Sequence, residues 1–254
     1  FVGIMSLGTD YEEEVGLTPC PNRAKIEAAI EMISPNGNTL FAPALEKAKE
    51  TGLSVKDVKA ILDRVREDGD KALFEYEKMF DKIELQTLAV SEKELAEAAQ
   101  SVSEELKTAI QTAAKNIEKF HSAQKQEFKK IETTPGVTCW QKAVPITSVG
   151  LYIPGGSAPL FSTVLMLAIP ARIAGCSEIV LCTPPDKNGN INPAILYAAQ
   201  VAGVNRFFKL GGSQAIAAMA YGTESVPKVS KIFGPGNRYV TKAKQFVTNK
   251  LSKP

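Results

Sequence analysis

The chain has 254 residues, 44% hydrophobic and 23% charged, enough for one large domain or two smaller ones of about 100 to 200 residues each. Thirty basic against 28 acidic residues leave a formal charge of +2, too balanced to point to nucleic acid or an anionic membrane as a partner. A single histidine excludes a multi-histidine metal site within these residues, and Cys20, Cys139, Cys176 and Cys182, widely spaced with no Cys-x-x-Cys, read as reduced thiols of a cytoplasmic protein.

Residues 1–40 form an unassigned amino-terminal segment, with turn-rich clusters TPCPNR (18–23) and SPNGN (34–38) around a helix-like stretch, 24–33. The apolar start FVGIMSLG runs into acidic DYEEE (10–14), the wrong charge for a signal peptide. Residues 41–146 are expected to be mainly helical. Three helices are predicted there, opening at Ser54, at Ser91 with Glu94 in capping-box spacing, and at Ser103 before two glutamates. In the last, Leu106, Ile110, Ala113, Ile117 and Phe120 recur at steps of four and three and make one apolar stripe. His121 sits beside that stripe, read as the edge of a packed face or, less simply, as a general base with no sequence neighbour to orient it.

From 147 to 254 short β-branched runs alternate with helices. Strands are predicted at 147–153, 178–183, 206–210 and 231–233, and helices at 162–174, from Pro193 to a stop at Gly203, at 214–221 and at 238–251. The longest apolar run, 164–169, is broken by Pro170 and Arg172, short of the roughly 18 residues a membrane span needs. Four βα units in a row imply a parallel sheet with helices on both faces. The expected fold is therefore α/β, a helical amino-terminal region followed by a parallel sheet of βα units.

Ligands of such a sheet gather at the carboxyl ends of the strands. The loops there are PGGSAP (154–159), PPDKNG (184–189), GGSQ (211–214) and GPGN (234–237). Three are rich in glycine and lead into helices, so backbone amides and helix dipoles converge where a phosphate or another anion would sit. Short βα turns need glycines for steric reasons as well. Neither G-x-G-x-x-G nor the P-loop pattern occurs. Within these loops Gln214 and Asn237 offer a donor and an acceptor to a ligand or cap their helices, and Tyr152 stacks on a base or packs in the core. Ser157 and Ser162 are placed to touch phosphate but have no Ser-His-Asp constellation. Glu224 reads as a solvated loop residue, and Cys176 and Cys182 as inert thiols.

The runs SVGLYIPGGSAPLFSTVLMLAIPARIAGC (148–176), KLGGSQAIAAMAYGTESVPKVSKIFGPGNRYVTKAK (209–244), REDGDKALFEYEKMFDK (66–82) and KNIEKFHSAQK (115–125) resemble histidinol dehydrogenase. The resemblance covers about 54–253; residues 1–40 do not look like that family's usual amino terminus. It implies a cytoplasmic homodimer that oxidises L-histidinol to L-histidine in histidine biosynthesis, with NAD as oxidant, zinc as metal, and a Rossmann-like NAD-binding domain over 147–254. The family's NAD contacts fall here on Tyr152, Gln214 and Asn237. Its zinc ligands and paired Glu-His acid/base residues match nothing in these 254 residues. The chain is expected to be an amino-terminal piece that carries the NAD half of an active site and no catalytic or metal residue. The alternatives are a non-catalytic nucleotide-binding or dimerisation module, or a sugar-phosphate enzyme on a similar sheet.

Overall fold

The computed structural model describes residues 55–251 apart from 126 and 157. The predicted stretch 24–33 and the cap at Ser54 lie outside the described residues.

Helix α1 (Val55–Asp68) buries Val58, Ile61, Leu62 and Val65 at helical spacing. It stops at Gly69, whose φ of 55° leaves the helical region, and the chain restarts as α2 (Asp70–Tyr76). The helix expected after Ser54 is α1, and α2 is a further one in a region expected to hold three. A π-helical turn, Glu77–Asp81, continues α2 and ends at Lys82 in the left-handed conformation, φ 60°. Helices α3 (Glu92–Ser101) and α4 (Glu104–Ser122) begin where their caps predict. Ser91 accepts from Glu94 N while the Glu94 carboxylate accepts from Ser91 N, and Ser103 accepts from Leu106 N.

A hairpin not expected from the sequence follows. Strands β1 (Ile131–Thr134) and β2 (Val137–Cys139) pair antiparallel around Pro135-Gly136, with Gly136 at φ 82°. Proline supplies the first corner and glycine the positive φ that such a two-residue turn requires. All seven strand residues are exposed, including Ile131 and Val137.

The βα units come next: β3 (Ser148–Tyr152), α5 (Phe161–Ala174), β4 (Glu178–Thr183), α6 (Pro193–Ala202), β5 (Arg206–Lys209), α7 (Gly212–Tyr221), β6 (Lys231–Phe233) and α8 (Arg238–Leu251). Every neighbouring pair is parallel, in the order β5-β4-β3-β6. Gly175 and Gly203 stop α5 and α6 in the left-handed conformation, as predicted.

The two-residue period of the strands divides the core. Val149, Leu151, Ile153, Ile179, Leu181 and Phe207 face one side, packed under α3, α4, α5 and α6. Tyr152, Val180, Cys182 and Phe208 face the other, under α1, α2, α7 and α8. The amino-terminal helices therefore complete both helical layers. On the second side Gly150 makes room for α7, since a Cβ there would lie 2.6 Å from Met219 Sδ and force that side chain to shift. At the β5 edge, Val90 N donates to Phe207 O (2.9 Å) and Lys209 N to Leu88 O (2.7 Å), so residues 88–90 strap that edge. Among the described residues no helix is long and apolar enough to cross a membrane.

Candidate functional site

The carboxyl ends of β3, β4 and β5 are drawn together around Pro184. A Cβ on Gly155 would lie 2.7 Å from the Pro184 ring and one on Gly211 2.8 Å, so glycine at both positions lets three loops close on one proline. The fourth loop joins them through Gly234, whose φ is 123° and where a Cβ would collide with the Tyr152 carbonyl oxygen.

The four helix amino termini at this edge differ. Asn192 Oδ1 caps α6, accepting from Ala194 N at 2.9 Å. Asn237 Oδ1 caps α8, accepting from Tyr239 N (3.0 Å) and Val240 N (3.1 Å). The first amides of α7 are also taken: Gly211 N donates to Glu77 Oε1 (3.3 Å) and Gly212 N to the Tyr152 hydroxyl (3.1 Å). Among the described residues at this edge α5 alone has neither a capping side chain at its N-cap nor a side chain from elsewhere on its first amides. It comes directly after PGGSAP, where the Gly156 Cα faces open space, and Ser162 in its first turn is exposed. A helix amino end with unclaimed N–H groups attracts an anion.

Beside that terminus lies a cleft of ≈ 620 Å³. Its walls are residues 154–159 except Ser157, residues 183–186 and the α3 side chains Glu94 and Glu97, over apolar Ala98, Ile195 and Leu196. Burial alone would raise the Glu94 carboxyl. Hydrogen bonds from Lys209 and from Ser91 outweigh it and hold Glu94 below the usual carboxylate range, so it stays ionised in its pair with Lys209.

Of the side chains singled out from sequence, Tyr152 and Gln214 are 3% and 2% exposed and meet at the Gly211–Gly212 turn, one through its hydroxyl and the other through Glu77. Burial pushes the Tyr152 phenol up, which keeps it neutral. Asn237 is exposed and engaged as a helix cap. None of the three lines the cleft; Asn237 is tied to the others through Gly234, packed on the Tyr152 backbone.

Sequence reasoning missed Glu77. It is fully buried; Oε1 accepts from Gln214 Nε2 (3.0 Å) and Gly211 N, while Oε2 is buried with no hydrogen-bond partner. Burial and the nearby Asp81 carboxylate push its carboxyl up to about 8. The signal was available: Glu77 follows Leu73 by four residues on the buried stripe of Ala72, Leu73 and Tyr76, where an acid is out of place.

Glu224 is the exposed loop residue expected, and its carboxylate also accepts from Asp70 N (2.7 Å), capping α2 across the sequence. His121 Nδ1 pairs with Gln124 Oε1 (2.7 Å) at the end of α4, on the helix layer. Burial raises the Cys182 thiol and Cys176 shifts the same way, so neither is an activated nucleophile. Among the described residues there is no group of three His, Cys, Asp or Glu side chains that could hold a metal ion.

Comparison with known proteins gives the family of the chain. A family model described as histidinol dehydrogenase matches residues 45–252. The chain is 68% identical to the histidinol dehydrogenase of Bacteroides thetaiotaomicron over 191 residues, 75% of this chain and 45% of the relative. It is 56% identical to that of Escherichia coli O157:H7 over 212 residues, 84% of this chain and 47% of the relative. The crystal structure of histidinol dehydrogenase from Elizabethkingia anophelis superposes with a TM-score of 0.75 at 56% identity, covering 78% of this chain and 46% of that one. The chain thus spans about half the length of the relatives it matches.

Proposed function

The chain belongs to the histidinol dehydrogenase family, and from that premise we propose that it supplies the dinucleotide-holding half of an enzyme that oxidises L-histidinol to L-histidine with NAD. The observation that carries this reading is the uncapped start of α5, directly after the loop whose Pro154, Gly155, Gly156, Ala158 and Pro159 line the ≈ 620 Å³ cleft. Its amides and dipole suit a pyrophosphate, and Glu94 or Glu97 on the opposite wall suits ribose hydroxyls. When bound, NAD supplies the hydride acceptor.

The residues of this chain bind and orient. Asn237 is exposed and has amide hydrogens left to offer beyond its cap. Tyr152 and Gln214 lie beneath the Gly211–Gly212 turn and hold it; for either to touch a ligand directly, that turn must move. No proton transfer is assigned to them, because the buried Tyr152 phenol is a poor acid and Gln214 does not titrate. In the whole enzyme the alcohol proton and the metal are proposed to be handled by residues other than those described. Exposed Ile131, Val137 and Trp140 on and beside the β1–β2 hairpin support extending the proposal to a homodimer.

Calorimetric titration of the purified chain with NAD tests the reading. Weak binding without turnover of L-histidinol is the expected result. Tight binding of a sugar phosphate with no response to NAD would replace it with the sugar-phosphate alternative.

A further inference from the structure

Glu77 has no part in the dinucleotide reading, yet no other carboxyl in the described structure is as deeply buried. The π-turn brings two acids, Glu77 and Asp81, to the back of the same glycine turn. Glu77 Oε1 takes the Gly211 N–H and one hydrogen of the Gln214 amide, which orients that amide with its nitrogen toward Glu77 and its oxygen over Gly212. Asp81 Oδ2 lies 3.4 Å from where a Cβ on Gly211 would be. The groups facing Glu77 are Asp81 from its own turn, the Tyr152 phenol from β3, the Cys182 thiol from β4, and the Gly211 and Gln214 amides from α7. None of these is a cation.

An ionised Glu77 would leave Oε2 buried without a donor beside a second carboxylate, an arrangement strongly disfavoured in low dielectric. One proton relieves both problems: placed on Oε2, it removes one charge and supplies the hydrogen for a carboxyl–carboxylate hydrogen bond with Asp81. Loss of that proton puts a second negative charge behind Gly211 and strengthens the grip of Oε1 on the turn. Both changes oppose an anionic ligand at this edge.

We propose that Glu77 is a positioning residue of the nucleotide edge, sharing one proton with Asp81, and that dinucleotide affinity falls when that proton is lost. The inference rests on the NAD reading above. Its direct consequence needs no ligand: the Gly211 amide and the Gln214 side-chain NH₂ titrate together.

The test is a ¹H–¹⁵N titration of the chain, paired with NAD affinity by calorimetry across the same pH range. The amide signals of Gly211 and Gln214 are expected to move with one midpoint near about 8. NAD affinity is expected to fall about tenfold from about pH 7 to about pH 9, the effect of little more than one kilocalorie per mole. Glu77→Gln, which keeps the Oε1 acceptor and offers a hydrogen toward Asp81, should flatten both profiles and retain the neutral-pH affinity. Asp81→Asn should move the midpoint down and serves if the first variant does not fold. Identical profiles in wild type and Glu77→Gln, or an unmoved midpoint in Asp81→Asn, overturn the positioning role. Amides that titrate in a chain with no NAD affinity at any pH overturn the NAD reading and the affinity claim with it.

Discussion

Gln214 Nε2 donates to Glu77 Oε1 across 3.0 Å, tying the start of α7 to a π-turn 137 residues away in sequence. The bond lies wholly in the interior and couples the glycine turn of the sheet edge to the amino-terminal helices. Its acceptor is an acid raised from 4.5 to about 8, which has a definite thermodynamic sign. The folded state holds this proton more tightly than the unfolded chain does, so its stabilising effect is complete below about 4.5 and is lost as pH rises through about 8. Glu77→Gln should therefore be more stable than wild type at about pH 9 by a few kilocalories per mole, and lose that advantage in mild acid. Thermal melts followed by circular dichroism over this range measure it. A constant difference at every pH would contradict the ionisation.

The joint between α1 and α2 should be intolerant of any side chain. Gly69 has φ 55°, and a Cβ there would collide with the Glu224 carboxylate that caps α2. Gly69→Ala is expected to cost about 2 to 4 kcal/mol through strain and the lost cap together, and Glu224→Ala about 1 kcal/mol. Urea denaturation gives both values. Equal costs would mean that the backbone conformation is not the main term.

Asn237 serves as a cap and is proposed as a ligand contact, and two substitutions separate these roles. Asn237→Ala should cost about 1 kcal/mol of stability, while Asn237→Ser keeps a capping oxygen and costs little. If Asn237 contacts NAD, calorimetry shows both variants weakened. Loss in the alanine variant alone assigns Asn237 to the helix.

Lys209 and Glu94 form an ion pair with the lysine nearly buried. Removing one partner strands the other, so Glu94→Gln should destabilise by about 1 to 3 kcal/mol at neutral pH. Because Glu94 is held below its usual value, its contribution is present above about 4.5 and fades as pH falls further. The gap between wild type and variant should narrow in acid.

The βα half was legible because its signals are local. Alternation along β3 and β4 separates Val149 and Leu151 from Tyr152, and Leu181 from Cys182, while Pro193, Gly175 and Gly203 punctuate the helices. The Ser91–Glu94 box was equally plain. The division at Gly69 was hidden because its cap, Glu224, arrives from more than 150 residues away. The hairpin at 131–139 escaped because its strands bury nothing and so carry no periodicity. Gln214 was found by its position in a glycine loop. Its partner Glu77 lies in a helical run, where pattern reading assigns charges to the surface.

The strap of residues 88–90 along β5 has a kinetic meaning. Lys209 N and Leu88 O are about 120 residues apart, so this pairing closes a long loop and carries an entropic cost that local contacts do not. A segment recruited from so far along the chain cannot template the sheet; it seals one already assembled. Until it does, the free groups of β5 face outward, and a chain refolding from the denatured state exposes there an edge with which another copy can pair.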